Sequence, residues 1–164
     1  MNSKTFFLIF PFSFFIFSLV GCGHFHNTVR SITHEEIAKA NARSYVTSTN
    51  VIGPYSPAVI SGNMVFVSGQ IGLNEKMEFA GDSIEAQTHQ VFKNMFSVLA
   101  KAGCDSADVV SCTVYLKDMK EFPKMNAVYS QYFVEGKYPA RATVEVANLP
   151  KNARVEISCI AFKK

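Results

Sequence analysis

Apolar and polar positions follow two rhythms between residues 43 and 164. Alternation by twos marks "RSYVTS" (Arg43 to Ser48), the "AVI" that begins at Ala58, "MVFVSGQI" (Met64 to Ile71) and "DVVSCTVYL" (Asp108 to Leu116) as strands. "SGN", Ser61 to Asn63, lies between the second and third of these and predicts a hairpin. A helical period takes over after Asp82 and Glu85, which resemble a capping box. Val91, Phe92, Met95, Val98, Leu99 and Ala102 then form one apolar stripe, and Gly103 ends it. That stripe is core. A second helix is predicted in "MKEFPKMNAVYSQYFVEG" (Met119 to Gly136), with Pro123 in its first turn. Strands, helix, strand, helix and strands in that order make one sheet covered on one face by two helices, a two-layer α+β sandwich.

The last stretch, "YPARATVEVANLPKNARVEIS" from Tyr138 to Ser158, reads as two alternating strands around "NLPKN" and is expected to close the chain as a hairpin. With Val146 facing Ala153, Thr143 falls opposite Glu156 and Arg141 opposite Ser158. Alternation then sends Ala142, Val144, Val146, Val155, Ile157 and Cys159 toward the helices, and Arg141, Thr143, Glu145, Arg154, Glu156 and Ser158 away from them. On a purely solvated face Glu145 would pair with Arg154, a couple worth ~0.2–1 kcal/mol. Arg141 and Glu156, however, would be diagonal neighbours about 7–8 Å apart, with room between them for a small carboxylate.

The 164-residue chain is 48% hydrophobic and 13% aromatic, enough for one domain with a core. Part of that apolar content lies outside the domain. Residues 5–20 carry no charge, follow Lys4 and are interrupted by Pro11, which describes a secretory signal better than a membrane-spanning helix. They lead into "LVGC" (Leu19 to Cys22), which resembles the lipobox of bacterial lipoproteins, so residues 1–21 are assigned as signal peptide and Cys22 as the lipidated residue. The alternative is an uncleaved membrane anchor; either way the domain is exported. Cleavage before Cys22 leaves 164 − 21 = 143 residues, and loss of Lys4 lowers the formal charge from +3 to +2. No strong field for nucleic acid follows from that balance. Residues 22–42 are polar and read as a spacer, with Thr33 and Glu36 able to cap a short helix. His24, His26 and His34 lack the carboxylate or thiol partners of a metal site. Cys104, Cys112 and Cys159 match no zinc spacing; buried free thiols are the favoured reading, and export leaves a disulfide as the alternative.

Four blocks then carry a resemblance over residues 43–164: "IGPYSPAV", "VFVSGQI", "VYLKDMKEFPKMNAVYSQYF" and "YPARATVEVANLPKNARVEISCIAF". In content and order they resemble the RidA (reactive intermediate deaminase A, YjgF) family. The resemblance implies a chorismate-mutase-like sandwich with one mixed sheet, assembled as a homotrimer with clefts between subunits. It also implies hydrolysis of enamine/imine intermediates such as 2-aminoacrylate and 2-iminobutanoate to 2-keto acids and ammonia, without metal or organic cofactor. Arg141 matches the family's carboxylate clamp and Glu156 the residue that holds the attacking water. Tyr55, Ser68, Gly69 and Asn126 match its pocket positions. Thr143 stands where many members carry cysteine, at a position expected to contribute its backbone carbonyl. A planar guanidinium suits a 2-imino carboxylate, and the imine carbon beside it needs chiefly a placed water and a proton acceptor. Family members usually work beside the dehydratases that make imines, which an exported chain does not. A second reading therefore stands: a non-enzymatic lipoprotein that binds small carboxylates such as 2-keto acids. Both readings require Arg141, and only catalysis requires Glu156. Export and near-neutral charge poorly serve the ribonuclease or translational-inhibitor role that the resemblance also admits.

Overall fold

The computed structural model describes residues 42–48 and 51–164. The signal peptide, Cys22, the three N-terminal histidines and the spacer up to residue 41 lie outside the described residues. Six strands, β1 (Arg43–Val46), β2 (Ala58–Ser61), β3 (Met64–Ile71), β4 (Val109–Leu116), β5 (Ala140–Glu145) and β6 (Val155–Phe162), form one sheet. Two helices, α1 (Ile84–Ala102) and α2 (Phe122–Tyr129), accompany it. The strand order is β1-β2-β3-β6-β4-β5, antiparallel throughout except for the parallel pair β4–β5. The mixed sheet and the expected β2–β3 hairpin are both present, the latter turning through Gly62 at φ 59.

The closing hairpin is not. β4 lies between β5 and β6, so the two strands expected to pair never touch. Alternation reports which face a residue occupies and is silent about which strand lies alongside. A parallel neighbour requires a crossover, and the α2 segment supplies it between β4 and β5. The faces change accordingly. Cys112 pairs with both Arg141 and Cys159, and Val114 with both Thr143 and Ile157. Residues in register across a sheet share a face, so Arg141, Thr143 and Glu145 belong to the helix side with Val155, Ile157 and Cys159. Ala142 and Val144 instead join Tyr115, Glu156 and Ser158 on the open side. Glu145 and Arg154 do not pair. The Glu145 carboxylate accepts from the Met119 N–H at 2.7 Å, and Arg154 meets Glu121 at 3.0 Å.

The core forms where the stripe predicts it. Phe92, Met95 and Leu99 of α1 and Met125 of α2 are fully buried against Val65, Val114, Leu116, Val155 and Ile157 of the sheet. The α1 cap is one residue later than expected, with the Ser83 hydroxyl accepting from Ala86 N–H at 3.1 Å. Gly103 closes the helix at φ 78, in the left-handed region that favours glycine. Phe92 stacks on Tyr132 at 4.2 Å between centroids and meets Tyr129 edge-on at 5.4 Å, tying α1 to the α2 segment. Cys104, Cys112 and Cys159 are buried free thiols. At the far end of α1, Gln87 Oε1 accepts from Arg154 N–H at 2.9 Å, just before the strand that carries Glu156. Asn94 donates to the carbonyls of Ile71 and Leu73, holding the end of β3.

Phe92→Ala should therefore destabilise the domain by about 3–5 kcal/mol, because transfer and cavity terms add at a site closed by four aromatic neighbours, Phe96, Tyr129, Tyr132 and Phe133. Urea denaturation followed by far-UV circular dichroism measures it; a loss under about 1 kcal/mol would contradict this packing.

Candidate active site

The predicted site residues fall into two groups. The first surrounds Arg141. Phe122, Asn126 and Tyr129 lie about one turn apart on α2 and present one face to β5. The guanidinium carbon sits 4.3 Å from the Tyr129 ring centroid and 5.6 Å from that of Phe122, and one terminal N–H donates to Asn126 Oδ1 at 2.8 Å. The rings fix the plane of the fork, and a single hydrogen bond fixes its rotation. No carboxylate among the described residues pairs with it, so the remaining N–H groups are free to take a ligand carboxylate in the planar manner that lysine cannot. Thr143, two residues along the same face, buries its hydroxyl oxygen without a hydrogen-bond partner, while the buried Tyr129 hydroxyl lies against the Cys112 thiol. Burial pushes the Tyr129 phenol far up, so the ring meets the guanidinium as a neutral platform.

The second group surrounds Glu156 on the open side of β6. The β3–β6 register shifts between Val67 and Gln70, and Gly69 occupies the irregularity. A Cβ at Gly69 would overlap Oε1 of Glu156 and stand 2.7 Å from its Cδ, so the carboxylate rests on backbone that only glycine leaves open. Ser68 donates its hydroxyl to Ser56 O at 2.7 Å and its N–H to Pro57 O at 2.9 Å, which binds β3 to the loop carrying Tyr55. Tyr55, Ser68, Gly69 and Glu156 line one cavity of about 870 Å³. Glu156 is half-buried and has neither a hydrogen bond nor a charge partner among the described residues. Burial alone pushes its carboxyl up from the ordinary value.

The two groups do not meet within one chain. Glu156 pairs with Tyr115, and Tyr115 with Val144. Arg141 lies three residues before Val144, an odd step that places it on the other face. The expected diagonal contact between Arg141 and Glu156 is therefore absent. In the sequence Asn126 stood out only as a pocket position of the family resemblance, without a link to Arg141, and Phe122 and Tyr129 were missed. Their spacing from Asn126 on one helix was the available signal. Tyr115, directly across from Glu156, was also missed, because its neighbour depends on strand order. Among the described residues no cluster of three or more His, Cys, Asp or Glu is placed to hold a metal ion.

Comparison with known proteins identifies the family and the fold. The profile of a family described as endoribonuclease L-PSP matches residues 45–163. A RutC family protein of Pyrococcus horikoshii is 49% identical over 114 residues, which is 69% of this chain and 90% of that protein. The 2-iminobutanoate/2-iminopropanoate deaminase of Homo sapiens is 39% identical over 121 residues, 73% of this chain and 88% of its own length. The crystal structure of the E. coli YjgF gene product superposes with a TM-score of 0.68 at 38% identity, covering 74% of this chain and 98% of that one.

The desolvated carboxylate has a measurable consequence. A folded-state pKa raised above the unfolded one favours the protonated form, so the Glu156 contribution to stability is complete below the ordinary glutamate value, about 4.3, and is lost as pH rises through the raised value. Glu156→Gln, neutral at every pH, should raise the thermal midpoint relative to wild type at pH 8, and the difference should shrink to nothing near pH 4. A midpoint difference that does not change with pH would mean that Glu156 is not desolvated.

Proposed function

The chain belongs to the endoribonuclease L-PSP family, the RidA (YjgF) family of the motifs above, and from that premise we propose that it is an enamine/imine deaminase acting between two copies of itself. The observation that carries this reading is the separation of Arg141 and Glu156 onto opposite faces of one sheet, each with an incomplete environment suited to half of the reaction. A closed homotrimer in which the Arg141 face of one subunit meets the Glu156 cavity of the next would join the halves three times over.

The chemistry then divides by subunit. Arg141, held flat by Tyr129 and Phe122 and turned by Asn126, binds the substrate carboxylate through charge-assisted hydrogen bonds. That fixes the adjacent C=N carbon against the neighbouring subunit's Glu156. Water attacks that carbon; its proton passes to Glu156, whose basicity is raised by burial and which therefore accepts it more readily than an exposed carboxylate. Glu156 returns the proton to nitrogen and then relays the hydroxyl proton of the adduct to the amine; the C=O bond forms as the C–N bond breaks, and ammonia leaves a 2-keto acid. Ser68, whose hydroxyl hydrogen is committed to Ser56 O, offers lone pairs to a ligand N–H. Thr143 lends its carbonyl rather than its buried hydroxyl, so the change from cysteine is mild. The human deaminase supports the substrate class, small 2-imino acids. No step needs a cofactor. The features of residues 1–22 support a further proposal, that the enzyme is exported and anchored in the cell envelope through lipid on Cys22.

Subunit mixing tests the catalytic reading. Arg141→Ala should lose about 1.5–3 kcal/mol of 2-ketobutyrate binding together with turnover. Glu156→Gln should keep binding and lose on the order of 10²–10⁴ in rate. Co-refolded in equal amounts, the two inactive variants should recover about a quarter of wild-type imine hydrolysis, because one cleft in four then holds both native residues. Absence of recovery would place both residues in one chain's site. Wild-type protein that binds 2-ketobutyrate without accelerating imine hydrolysis would replace the enzyme with a carboxylate-binding protein.

The anchoring proposal is tested in the native host. Cys22→Ser should abolish lipid labelling and release the protein from the membrane fraction, whereas full-length wild type in the cytosol would overturn it.

A further inference from the structure

Beside Glu156 the open face of the sheet turns apolar. Ile71 stands directly across from Glu156 in the β3–β6 pair, and with Leu73 and Ala153 it forms a small buried cluster separate from the main core. Met77, Phe79 and Leu149 pack against that cluster while remaining partly exposed. The cavity of about 870 Å³ that holds Glu156, Ser68 and Gly69 is walled by the same cluster through Ile71, Leu73 and Met77. It therefore has a polar part, where the carboxylate lies, and an apolar part that the chemistry of hydrolysis does not use.

Met77 is held in that wall by its own loop. Leu73 and Phe79 bridge the ends, and Asn74 fastens the tip. The Asn74 side-chain oxygen accepts from the N–H groups of Lys76 at 2.9 Å and Glu78 at 3.1 Å, and its carbonyl accepts from Met77 N–H at 2.9 Å. At φ 62 Met77 occupies left-handed backbone, which a non-glycine residue adopts only where its surroundings enforce it. The turn tucks Met77 inward and leaves Glu75, Lys76 and Glu78 exposed. A thioether presented to a cavity in this way suits an apolar ligand, because methionine adapts its shape and offers polarizable contact. A distal charge is served less well: Lys76, Lys93 and Lys101 line the cavity but are exposed, and Glu75 and Glu78 line it with them.

We propose that Met77 is a specificity-determining residue: with Ile71 and Leu73 it forms a subsite for the substrate side chain and favours 2-imino acids whose side chains are apolar and branched or extended. The assignment rests on the deaminase reading above. There the neighbouring subunit's arginine takes the carboxylate and Glu156 stands at the C=N carbon, so the side chain on that carbon is left to the cavity around Glu156. At about 870 Å³ this cavity falls within the ~300–1,000 Å³ of sites that enclose much larger ligands, and 2-iminobutanoate would leave most of it to water. A longer apolar side chain displaces that water from Ile71, Leu73 and Met77 and gains affinity by doing so, whereas a polar one loses its own hydration without finding partners.

Ratios between a large and a small ligand test it. Imines generated from leucine and from alanine by an amino-acid oxidase give kcat/KM for the pair, and the corresponding 2-keto acids, 4-methyl-2-oxopentanoate and pyruvate, give Kd without turnover. Wild type should favour the leucine-derived member of each pair by about tenfold or more, the discrimination that added methylenes produce in an apolar pocket. Met77→Gly removes the side chain and relieves the left-handed backbone, while Met77→Gln keeps the length and adds a polar amide. Each should lower both ratios by about tenfold, with pyruvate binding and thermal midpoint near wild type. A wild-type ratio near one would overturn the proposal, and so would ratios that neither variant moves. Equal losses with the large and the small ligand would also overturn it, by making Met77 a prop of its loop. A Kd ratio that follows Met77 in protein that hydrolyses no imine would leave the side-chain subsite standing and remove the deaminase reading instead.

Discussion

The parallel pairing of β5 with β4 is the constraint from which the rest of the molecule follows. Because β4 already pairs with β6 on its other edge, β5 reaches the sheet only after the chain has crossed it through the α2 segment. That crossover brings Phe122, Asn126 and Tyr129 over the end of the sheet, above the place where Arg141 emerges. It also fixes the parity of β5 against β6, so the arginine and the glutamate of one chain face opposite ways. Glu145, at the end of β5, accepts from Met119 N–H and ties the crossover back to its strand. A simple hairpin would have put the same two residues on one face as diagonal neighbours about 7–8 Å apart, a site complete within one chain.

Packing and electrostatics reinforce this separation. α1 is stitched to the β3 end by Asn94 and to the start of β6 by Gln87, so the strands that carry Gly69 and Glu156 are held from behind by amides. Gly69 then lets the carboxylate lie against backbone at the β3 irregularity. Glu156 loses water without gaining a donor, and its basicity rises for that reason alone. Arg141 is in the converse state: ordered by aromatic rings and one carboxamide, yet without an anion. Each residue is arranged at some cost to the single chain, the pattern expected of functional groups rather than of structural ion pairs.

Much of this was legible in the sequence. Every residue of the α1 stripe is buried, the first hairpin turns at the glycine expected, and the layers are those implied by the order of rhythms. What could not be read was lateral order. Periodicity is a property of one strand and its two faces, whereas the neighbour of β6 is decided by where a helix of eight residues deposits the chain. Hence Val155, Ile157 and Cys159 point where alternation sent them, while Ala142, Val144, Arg141 and Thr143 point the other way. The site residues came from block resemblance, which survives such an error because it assigns roles without geometry. Of the residues missed, Phe122 and Tyr129 were signalled only by their spacing from Asn126 on one helix, and Tyr115 acts through a tertiary neighbour that no local pattern announces.

The incompleteness of both half-sites bears on how a ligand would be recognised. A carboxylate alone satisfies Arg141, and a desolvated glutamate repels it. A 2-imino acid carries an anionic carboxylate beside a carbon that becomes electron-poor when the imine is protonated, so its two ends have opposite preferences. Set between an arginine from one copy and a glutamate from another, it relieves both groups at once, and a plain monocarboxylate relieves only the first. On the proposed reaction the same arrangement would favour the hydrolysis transition state further, because proton transfer would neutralise the half-buried Glu156 carboxylate, which no described residue compensates.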